Sequence, residues 1–520
     1  MKQQISSYRV EMAPATEAGC DPCDELAGSE LGLSGGLGVN HYDRKRKINL
    51  LHSPIVRHLP PDVISTIFEF CIPDFTDNQH INQLSPYFKE DLSIPLSLGA
   101  ICSYWRDIAW LTPSLWSSLV VRVTNKHDPR ILTILTQEWL SRSGQLPLAI
   151  RISSNLHEAV LALANIINQY SARWSDLDLF IPDSYYQHFR ATDNHAPLLK
   201  SIRLNCSTYV ETSIIHLICP RLERAFLSYF PMGGTNIQWD NLTHLTLHSM
   251  FITDSLVILR KTPRLVFCNV SGFTPRYRGP SIGMFVLPSL KSLQLTSFVE
   301  DFFNNLIAPD LEELSLREYY IPSIEAIVSF LRRSACSLRY FSTILSSSPS
   351  YVEGFMDLLQ SMHSLNKLSI TSITNTDLGK NTCFTVSEDY DPRKILGLVA
   401  KVLSSQSTSL QQGFLPNLEI LEYSGKLNPR PDGYGDLHSL LPAVNAMHHG
   451  PLHLFQINLT QHRLPKNMIS YLSSLKERGV AVNVMFKSKD ILQSSINYFR
   501  SRDDFFGLDW ANNLDSSLFS

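Results

Sequence analysis

The sequence predicts an α/β solenoid, in which parallel strands alternate with helices, preceded by a small all-α module and a disordered N-terminal tail. Three observations predict it. Leu-x-x-Leu-x-Leu segments recur along most of the chain, amphipathic helical patterns lie between several of them, and two short helical patterns precede the array. The expected divisions are 1–47 for the tail, 48–118 for the helical module, 119–486 for the solenoid and 487–520 for a C-terminal cap or tail.

Composition sets the outer limits of this prediction. The 520 residues are 44% hydrophobic, which is enough for two or three cores or one elongated repeat domain. A formal charge of −3 provides no basic field for nucleic acid. No apolar run approaches the roughly 18 to 20 residues that span a bilayer, and the N-terminus has no secretory pattern. We therefore expect no nucleic-acid or membrane partner and a location in the cytoplasm, the nucleus or both.

The N-terminal segment, residues 1–47, is rich in Gly, Ser, Glu and Ala and has no sustained hydrophobic period, so it is expected to be disordered. Within it, Gly32–Gly36 match the nucleophile motif G-x-S-x-G, but no strand and helix flank the serine. Cys20 and Cys23 form a single C-x-x-C with no second pair to complete a zinc site. The basic cluster Arg44–Lys47 is compatible with a nuclear-import signal or with a solvated linker.

Two helices are predicted next. Prolines 60 and 61 suit the first turn of a helix, where a missing N–H costs nothing, and apolar residues follow at helical spacing up to Cys71. A polar loop of about twenty residues separates this helix from a second pattern that begins at Leu98. Thr112–Ser114 contain the proline that ends the second helix.

These segments resemble an F-box of the kind found in large fungal families of F-box proteins. The resemblance covers about residues 57–118 and rests on Leu-Pro-Pro-Asp-Val-Ile-x-x-Ile-Phe from Leu59, Leu-x-x-Ile-Cys-x-x-Trp-Arg-Asp-Ile-Ala from Leu98, and Thr-Pro-Ser-Leu-Trp from Thr112. It departs from the compact F-box in the long loop between the helices. It implies docking on a Skp-type adaptor of a cullin-RING ubiquitin ligase. The matching positions are Leu59, Pro60, Pro61, Ile64, Ile67 and Phe68, with Trp105 expected to brace the second helix.

A physical argument supports docking independently. A module of this size has little interior, so its apolar stripe is too large to leave in water without a partner. The alternative is that the stripe packs on the next domain of the same chain.

Strands and helices alternate beyond this module. Strand-like segments at 118–123 and 146–152 flank a predicted helix with Ile131, Leu132, Leu135 and Trp139 on one side. A second predicted helix follows with Val160, Leu163, Ala164 and Ile167 on one side.

Nine repeat motifs then begin at Trp174, Leu199, Leu222, Leu242, Leu265, Leu290, Leu311, Leu338 and Leu365. Successive motifs are 20 to 27 residues apart, within the range of leucine-rich repeats, and amphipathic helical patterns before Leu311, Leu338 and Leu365 predict helical return segments. The usual Asn or Cys after the last leucine is absent, so the array is expected to be irregular. Regularity fails over 371–415, whose role is open, and we expect the motif to resume at Leu418 and Leu454.

The recognition residues can be predicted from strand alternation. The leucines point inward, so the residues between them face the opposite, concave side. We expect target-binding residues among Arg203, Arg224, Phe226, His244, His248, Phe267, Gln294, Arg317, Tyr340 and Lys367. The alternative for each is an ordinary solvated sheet residue.

Two functions compete. The favoured one is a substrate-recognition adaptor of a cullin-RING ubiquitin ligase, with a Skp-type adaptor on the helical module and an unknown target protein on the repeats. The other is an F-box-containing scaffold that works outside a ligase. An enzyme is not expected, because no H-E-x-x-H, P-loop or metal-ligand spacing occurs, and we expect no cofactor and no metal.

Overall fold

The protein is described from a computed structural model that covers residues 59–72, 94–123, 128–206, 215–232, 235–272, 283–296, 300–317, 324–344, 349–371, 415–425, 454–459, 464, 469, 472–473, 476–477, 479–486 and 489–498. They form two compact units, Met1–Ile166 and Ile167–Ser520. The predicted tail, most of the loop between the first two helices, the interior of 371–415 and everything beyond 498 lie outside the described residues. The domain divisions expected from the sequence stay predictions.

The first unit contains helices and one strand pair. Its elements are α1 (Pro61–Glu69), α2 (Ile94–Ile101), α3 (Ser103–Leu111), a 3-10 helix (Pro113–Trp116), β1 (Ser118–Arg122), α4 (Pro129–Arg142) and β2 (Leu148–Ser153). Strands β1 and β2 pair in parallel. Helix α5 (His157–Ile167) ends this segment of the chain.

Local chemistry explains where these helices begin. Pro60 has an extended backbone, and its carbonyl accepts the first helical hydrogen bond from Ile64 N at 3.1 Å. Helix α3 begins after Cys102, whose Sγ accepts the amide hydrogen of Trp105 at a distance of 3.4 Å. One hydrophobic core cluster of this unit consists of Ile64, Phe68, Leu98, Ile108, Ala109, Leu115 and Trp116.

A tryptophan cluster joins α3, the 3-10 helix and α4. The ring centroids of Trp110 and Trp116 lie 5.4 Å apart, and those of Trp116 and Trp139 lie 4.8 Å apart, both edge to face. The guanidinium of Arg142 lies 5.3 Å from the rings of both Trp110 and Trp116. Gly99 on α2 permits this packing, because a Cβ there would come within 2.9 Å of Cη2 of Trp110.

Helix α4 differs from the expectation. Of its predicted apolar stripe, Ile131 and Leu135 are 56% and 59% exposed, whereas Leu132 and Trp139 are half-buried and Trp139 packs against Trp116. Thr136 and Leu140 are the buried residues of this helix. Periodicity therefore identifies the helix correctly but only part of the side that is covered, because contacts with other elements decide which residues are buried. None of the described helices is long and apolar enough to cross a bilayer.

The second unit is built on one large sheet. Its strands are β3 (Trp174–Ile181), β4 (Ser201–Cys206), β6 (Arg224–Ser228), β8 (His244–His248), β9 (Phe267–Ser271), β11 (Ser292–Leu295), β13 (Glu313–Leu316), β14 (Tyr340–Ile344), β15 (Lys367–Thr371), β16 (Ile420–Gly425), β17 (Leu454–Leu459), β18 (Ala481–Phe486) and β19 (Lys489–Asp490). They are neighbours in this order, and all pair in parallel except β18 with β19. The predicted large parallel sheet with helices, as in an α/β solenoid, is confirmed.

The inner side of this sheet is a continuous apolar layer. In neighbouring strands Leu204, Leu227 and Leu247 occupy equivalent positions, and all three are 0% exposed. The motifs predicted from Trp174 to Leu365 all place the residues at their last two motif positions, Thr343 among them, in these inner rows. The motif predicted at Leu454 is displaced, because Tyr423 pairs with Ile457 and Leu421 with Phe455. The shift is two residues, so it keeps the side on which Ile457 lies.

The return segments vary along the sheet. Helices α6 (Ile252–Arg260), α7 (Glu300–Asn305), α8 (Ile324–Ser334) and α9 (Pro349–Gln360) complete four of them. Others contain short strands, namely β5 (His216–Leu217) paired with β7 (Asn236–Ile237), and β10 (Phe285–Val286) paired with β12 (Leu306–Ile307). The helices expected before Leu311, Leu338 and Leu365 are present as α7, α8 and α9, but the short strands show that a helix does not complete every repeat.

Three consecutive strands end in the same backbone conformation. Tyr229, Ser249 and Gly272 directly follow β6, β8 and β9, with φ values of 50°, 49° and 66°. Their neighbours hold this turn, since Tyr229 N donates to His248 O at 3.1 Å and Ser249 N to Ser271 O at 2.7 Å. These left-handed residues redirect the chain without the asparagine of regular leucine-rich repeats.

Candidate interaction surfaces

The outer side of the sheet carries the residues between the inner leucines, in three rows that run across the strands. We name them the first, middle and last outer rows. The ten residues predicted for recognition all lie on this side by strand alternation. The first row contains Arg224, His244, Phe267, Tyr340 and Lys367. The middle row contains Arg203, Phe226 and Gln294. The last row contains His248 and also Arg317, which directly follows β13.

The strands β3 to β9 carry one group of paired side chains on this side, which we call the arginine–aromatic strip. The guanidinium of Arg203 lies 5.3 Å from the ring centroid of Phe226, and its NH1 lies 3.7 Å from Oδ2 of Asp178. This coverage leaves Phe226 only 8% exposed. Cation–π and charge contacts therefore hold both side chains in place.

The strip continues in the first outer row. NH2 of Arg224 lies 3.9 Å from Oδ1 of Asp176, reaching across the intervening strand β4. His244 stacks on Phe267, with ring centroids 5.9 Å apart and planes inclined by 29°. Such surface pairs contribute little to stability, about 0 to 1 kcal/mol each. These contacts hold the side chains in fixed positions, and Arg and aromatic side chains are typical anchors of protein interfaces.

The pKa of each of the two histidines on this side is lowered, which favours the neutral imidazole. Burial, and secondly the charge of Arg224, lower the pKa of His244, while Glu223 acts in the opposite direction. Burial lowers the pKa of His248, whose Nδ1 lies 2.8 Å from Ser271 Oγ. Neutral imidazole both donates and accepts hydrogen bonds, so this part of the strip presents polar aromatic groups without added charge.

A second group lies on strands β14 to β16. Nζ of Lys367 lies 5.2 Å from the ring centroid of Tyr340 and 2.8 Å from Oε1 of Glu422. The carboxylate of Glu422 therefore balances the ammonium charge of Lys367 on this side of the sheet.

The residues predicted for adaptor docking divide between two environments. Ile64 and Phe68 are 1% and 0% exposed in the core of the first unit, and Leu59 packs partly against that core. Trp105 is half-buried, with its ring edge to face on Phe68 at 5.0 Å. Pro60, Pro61 and Ile67 lie at the surface, and Ile67 is 45% exposed.

The exposed side of α1 includes residues that the sequence reasoning did not select. Val63 and Phe70 are 39% and 86% exposed, and with Ile67 they have helical spacing i, i+4 and i+7. We call Val63, Ile67 and Phe70 the α1 outer face. The signal was present in the sequence: apolar residues cover about 160° of α1, at 100° per residue, which is wider than the stripe of about 100° that one packed side requires.

Comparisons with known proteins add no assignment: no family model and no curated protein matches the chain. Among the described residues, no three His, Cys, Asp or Glu side chains are grouped as metal ligands.

Proposed function

We propose that the protein is a substrate-recognition adaptor of a cullin-RING ubiquitin ligase. The α1 outer face docks on a Skp-type adaptor, and the outer side of the repeat sheet binds a target protein. The observation that carries this proposal is the division of α1 itself. One side, with Ile64 and Phe68, is used by the core, while the other leaves Val63, Ile67 and Phe70 exposed to solvent. Exposed apolar residues at helical spacing suit a partner helix or groove.

The F-box resemblance of the sequence supplies the identity of that partner. The arginine–aromatic strip supports the second half of the proposal, since Arg and aromatic side chains dominate the binding energy of protein interfaces. The protein would contribute no catalytic group. Ubiquitin transfer would be favoured because the target lysine and the charged ubiquitin carrier are held close together, which raises their effective concentration.

The test is binding of a purified Skp-type adaptor to the purified full-length chain. We expect Ile67→Asp to weaken the complex at least about tenfold, because the change places a charge in an apolar contact. Ile131→Asp is the matched control, since Ile131 is an exposed isoleucine on another helix of the same unit. It should bind like the unchanged protein. Leu59 is less suitable for this test, because it also packs against the core.

Two results would contradict the proposal. The first is failure of the unchanged chain to bind any Skp-type adaptor. The second is equal binding by Ile67→Asp and Ile131→Asp while both remain folded by circular dichroism. Binding of the adaptor without any cullin in the complex at near-native expression would favour the alternative, a scaffold that works outside a ligase.

A further inference from the structure

The layer of return segments changes from strands to a helix between β7 and α6. His195 bridges to Ile218, and β5 pairs with β7, so these extended segments lie side by side. Both β5 and β7 begin eight residues before the first outer row. In the next repeat that position is Leu259, which belongs to the last turn of α6. We call the side of β7 that points away from β5 the β7 edge.

The β7 edge carries backbone groups that have no partner among the described residues. The amides of Asn236 and Gln238 both donate to β5, at 2.9 and 3.2 Å. Because successive residues of a strand direct their backbone groups to opposite sides, the N–H and C=O of Ile237 and the N–H of Trp239 point away from β5. No hydrogen bond of the described residues uses these three groups.

The side chain of Trp239 adds a fourth unpaired group. Its indole is 2% exposed, and Nε1 is a buried donor without a partner in the described structure. Ile237 is also buried. Buried backbone and indole N–H groups are normally paired, so four unpaired groups on two nearby residues need an explanation.

A second junction of the same kind shows how this chain completes such an edge. Strand β12 also meets a helix end, that of α8, and there Ser334 Oγ accepts the buried amide of Ala308 at 3.0 Å. Ala308 and Trp239 each lie five residues before the first outer row, and Ser334 and Lys261 each lie six residues before it. Lys261 therefore occupies the position of Ser334. An ammonium group only donates, so it cannot accept the amide of Trp239.

A cavity of about 560 Å³ adjoins the β7 edge. Its lining includes Ile237, Trp239 and Asp240, together with Lys261 at the end of α6. The volume lies within the range of about 300–1,000 Å³ that is usual for binding sites. Neither Asp240 nor Lys261 forms an ion pair with a described residue, so the lining offers one charge of each sign.

The unpaired groups decide which occupant fits. An added strand would accept hydrogen bonds from the amides of Ile237 and Trp239 and donate one to the carbonyl of Ile237. An α-helix uses its backbone groups internally and cannot make these bonds. A phosphate group would accept from the amides, but it would also meet the carbonyl of Ile237 and the carboxylate of Asp240. An extended peptide satisfies the donors and the acceptor together.

We propose that the β7 edge binds an extended peptide segment of a partner protein, which adds to the return layer as a further strand. The bonds from Ile237 to Trp239 engage about three residues of that segment, or about 10 Å of extended chain. The site lies on the return layer and not on the outer side of the sheet. It is therefore a second interaction site, and the inference goes beyond the proposed function without depending on it.

The probe for the test is a phage-displayed library of random seven-residue peptides, selected on the full-length chain. An enriched peptide is synthesised with a fluorophore, and its binding is measured by fluorescence anisotropy. Lys261→Ser supplies the hydroxyl that Ser334 provides at the other junction, so it should pair the Trp239 amide and weaken peptide binding at least about tenfold. Lys200→Ser is the matched control, because Lys200 is an exposed lysine of the same unit. It should change binding less than about twofold.

A second measurement reports on the site directly. In the unchanged chain labelled with ¹⁵N-tryptophan, the indole N–H resonance of Trp239, assigned with Trp239→Phe, should shift when the enriched peptide is added. Three results would overturn the inference. They are enrichment of no peptide above a selection without protein, equal peptide affinity of Lys261→Ser and the unchanged chain, and an indole resonance of Trp239 that does not respond to the peptide.

Discussion

Apolar periodicity predicts the buried side of the sheet in the second unit, but it does not by itself predict the buried side of the helices in the first unit. In the sheet, alternation leaves one possible inner side, and Leu204, Leu227 and Leu247 occupy it without exception. On α1 the apolar arc is wide, and only the half with Ile64 and Phe68 is buried. On α4 the predicted stripe is divided as well, with Ile131 and Leu135 exposed and Trp139 packed against Trp116. Side chains of a strand alternate between two sides, so the apolar pattern defines which side is buried. In a helix, tertiary contacts decide which part of the apolar stripe is buried.

The strongest test of this contrast is truncation of an inner leucine. Leu245→Ala should lower the free energy of unfolding by about 2–5 kcal/mol, because Leu245 is 0% exposed between Ala225 and Cys268 of the adjacent strands. Thr246→Ala, one residue further and on the outer side, should change it by less than about 0.5 kcal/mol. Urea unfolding followed by circular dichroism measures both. Equal effects would contradict the assignment of inner and outer sides.

A second test concerns the close packing of the helical unit. Gly99→Ala should cost about 1–3 kcal/mol, because the added methyl group overlaps the ring of Trp110. The neighbouring exposed residue supplies the control, and Ala100→Ser should be close to neutral. Tryptophan fluorescence during urea unfolding reports mainly on this unit, which contains four of the seven tryptophans. An unchanged midpoint for Gly99→Ala would show that α2 and α3 are less closely packed than described.

A smaller effect is expected from acid. Because the pKa of His244 is lowered from its ordinary value of 6.5, the unfolded chain binds a proton at this site more readily than the folded chain. Stability should therefore fall as the pH drops below about 6.5. His244→Asn removes that contribution, so its unfolding free energy should fall less between pH 7 and pH 5. Identical pH profiles for the variant and the unchanged protein would refute the neutral, stacked imidazole.

The smallest effect is predicted for the exposed stripe of α4. Leu135→Gln should change the unfolding free energy by less than about 0.5 kcal/mol, although the sequence pattern alone predicts a packed residue. Leu140→Gln on the same helix should be strongly destabilising, because Leu140 is 0% exposed. If Leu135→Gln were the more damaging change, the orientation of α4 would be wrong.

Much of the sheet could be predicted from the sequence. Strand positions and the inner rows follow from the spacing of leucines, and the outer residues follow by alternation. The register at β17 could not be predicted with certainty, because both Leu454 and Leu452 can begin an apparent motif and a two-residue shift preserves the buried side. The return segments also differ, since a short strand and a helix can both cover the inner leucines.

The candidate surfaces were predictable only in part. Alternation identified Arg203, Arg224 and Lys367 as outer residues, but their partners lie on other strands and depend on the register between repeats. Arg224 meets Asp176 two strands away, and Lys367 meets Glu422 across an insertion of more than forty residues.

Proximity labelling in cells, with the labelling enzyme fused to the full-length chain, most directly tests whether α1 binds the ligase while the repeat sheet binds the target. Ile67→Asp should lose the Skp-type adaptor and the cullin among the labelled neighbours and keep the remaining partners. Phe267→Ala, in the arginine–aromatic strip, should lose other partners and keep the ligase subunits. At equal protein abundance this reciprocal loss is the result that the proposal predicts. Absence of ligase subunits around the unchanged protein, or joint loss of both groups with either variant, would contradict it.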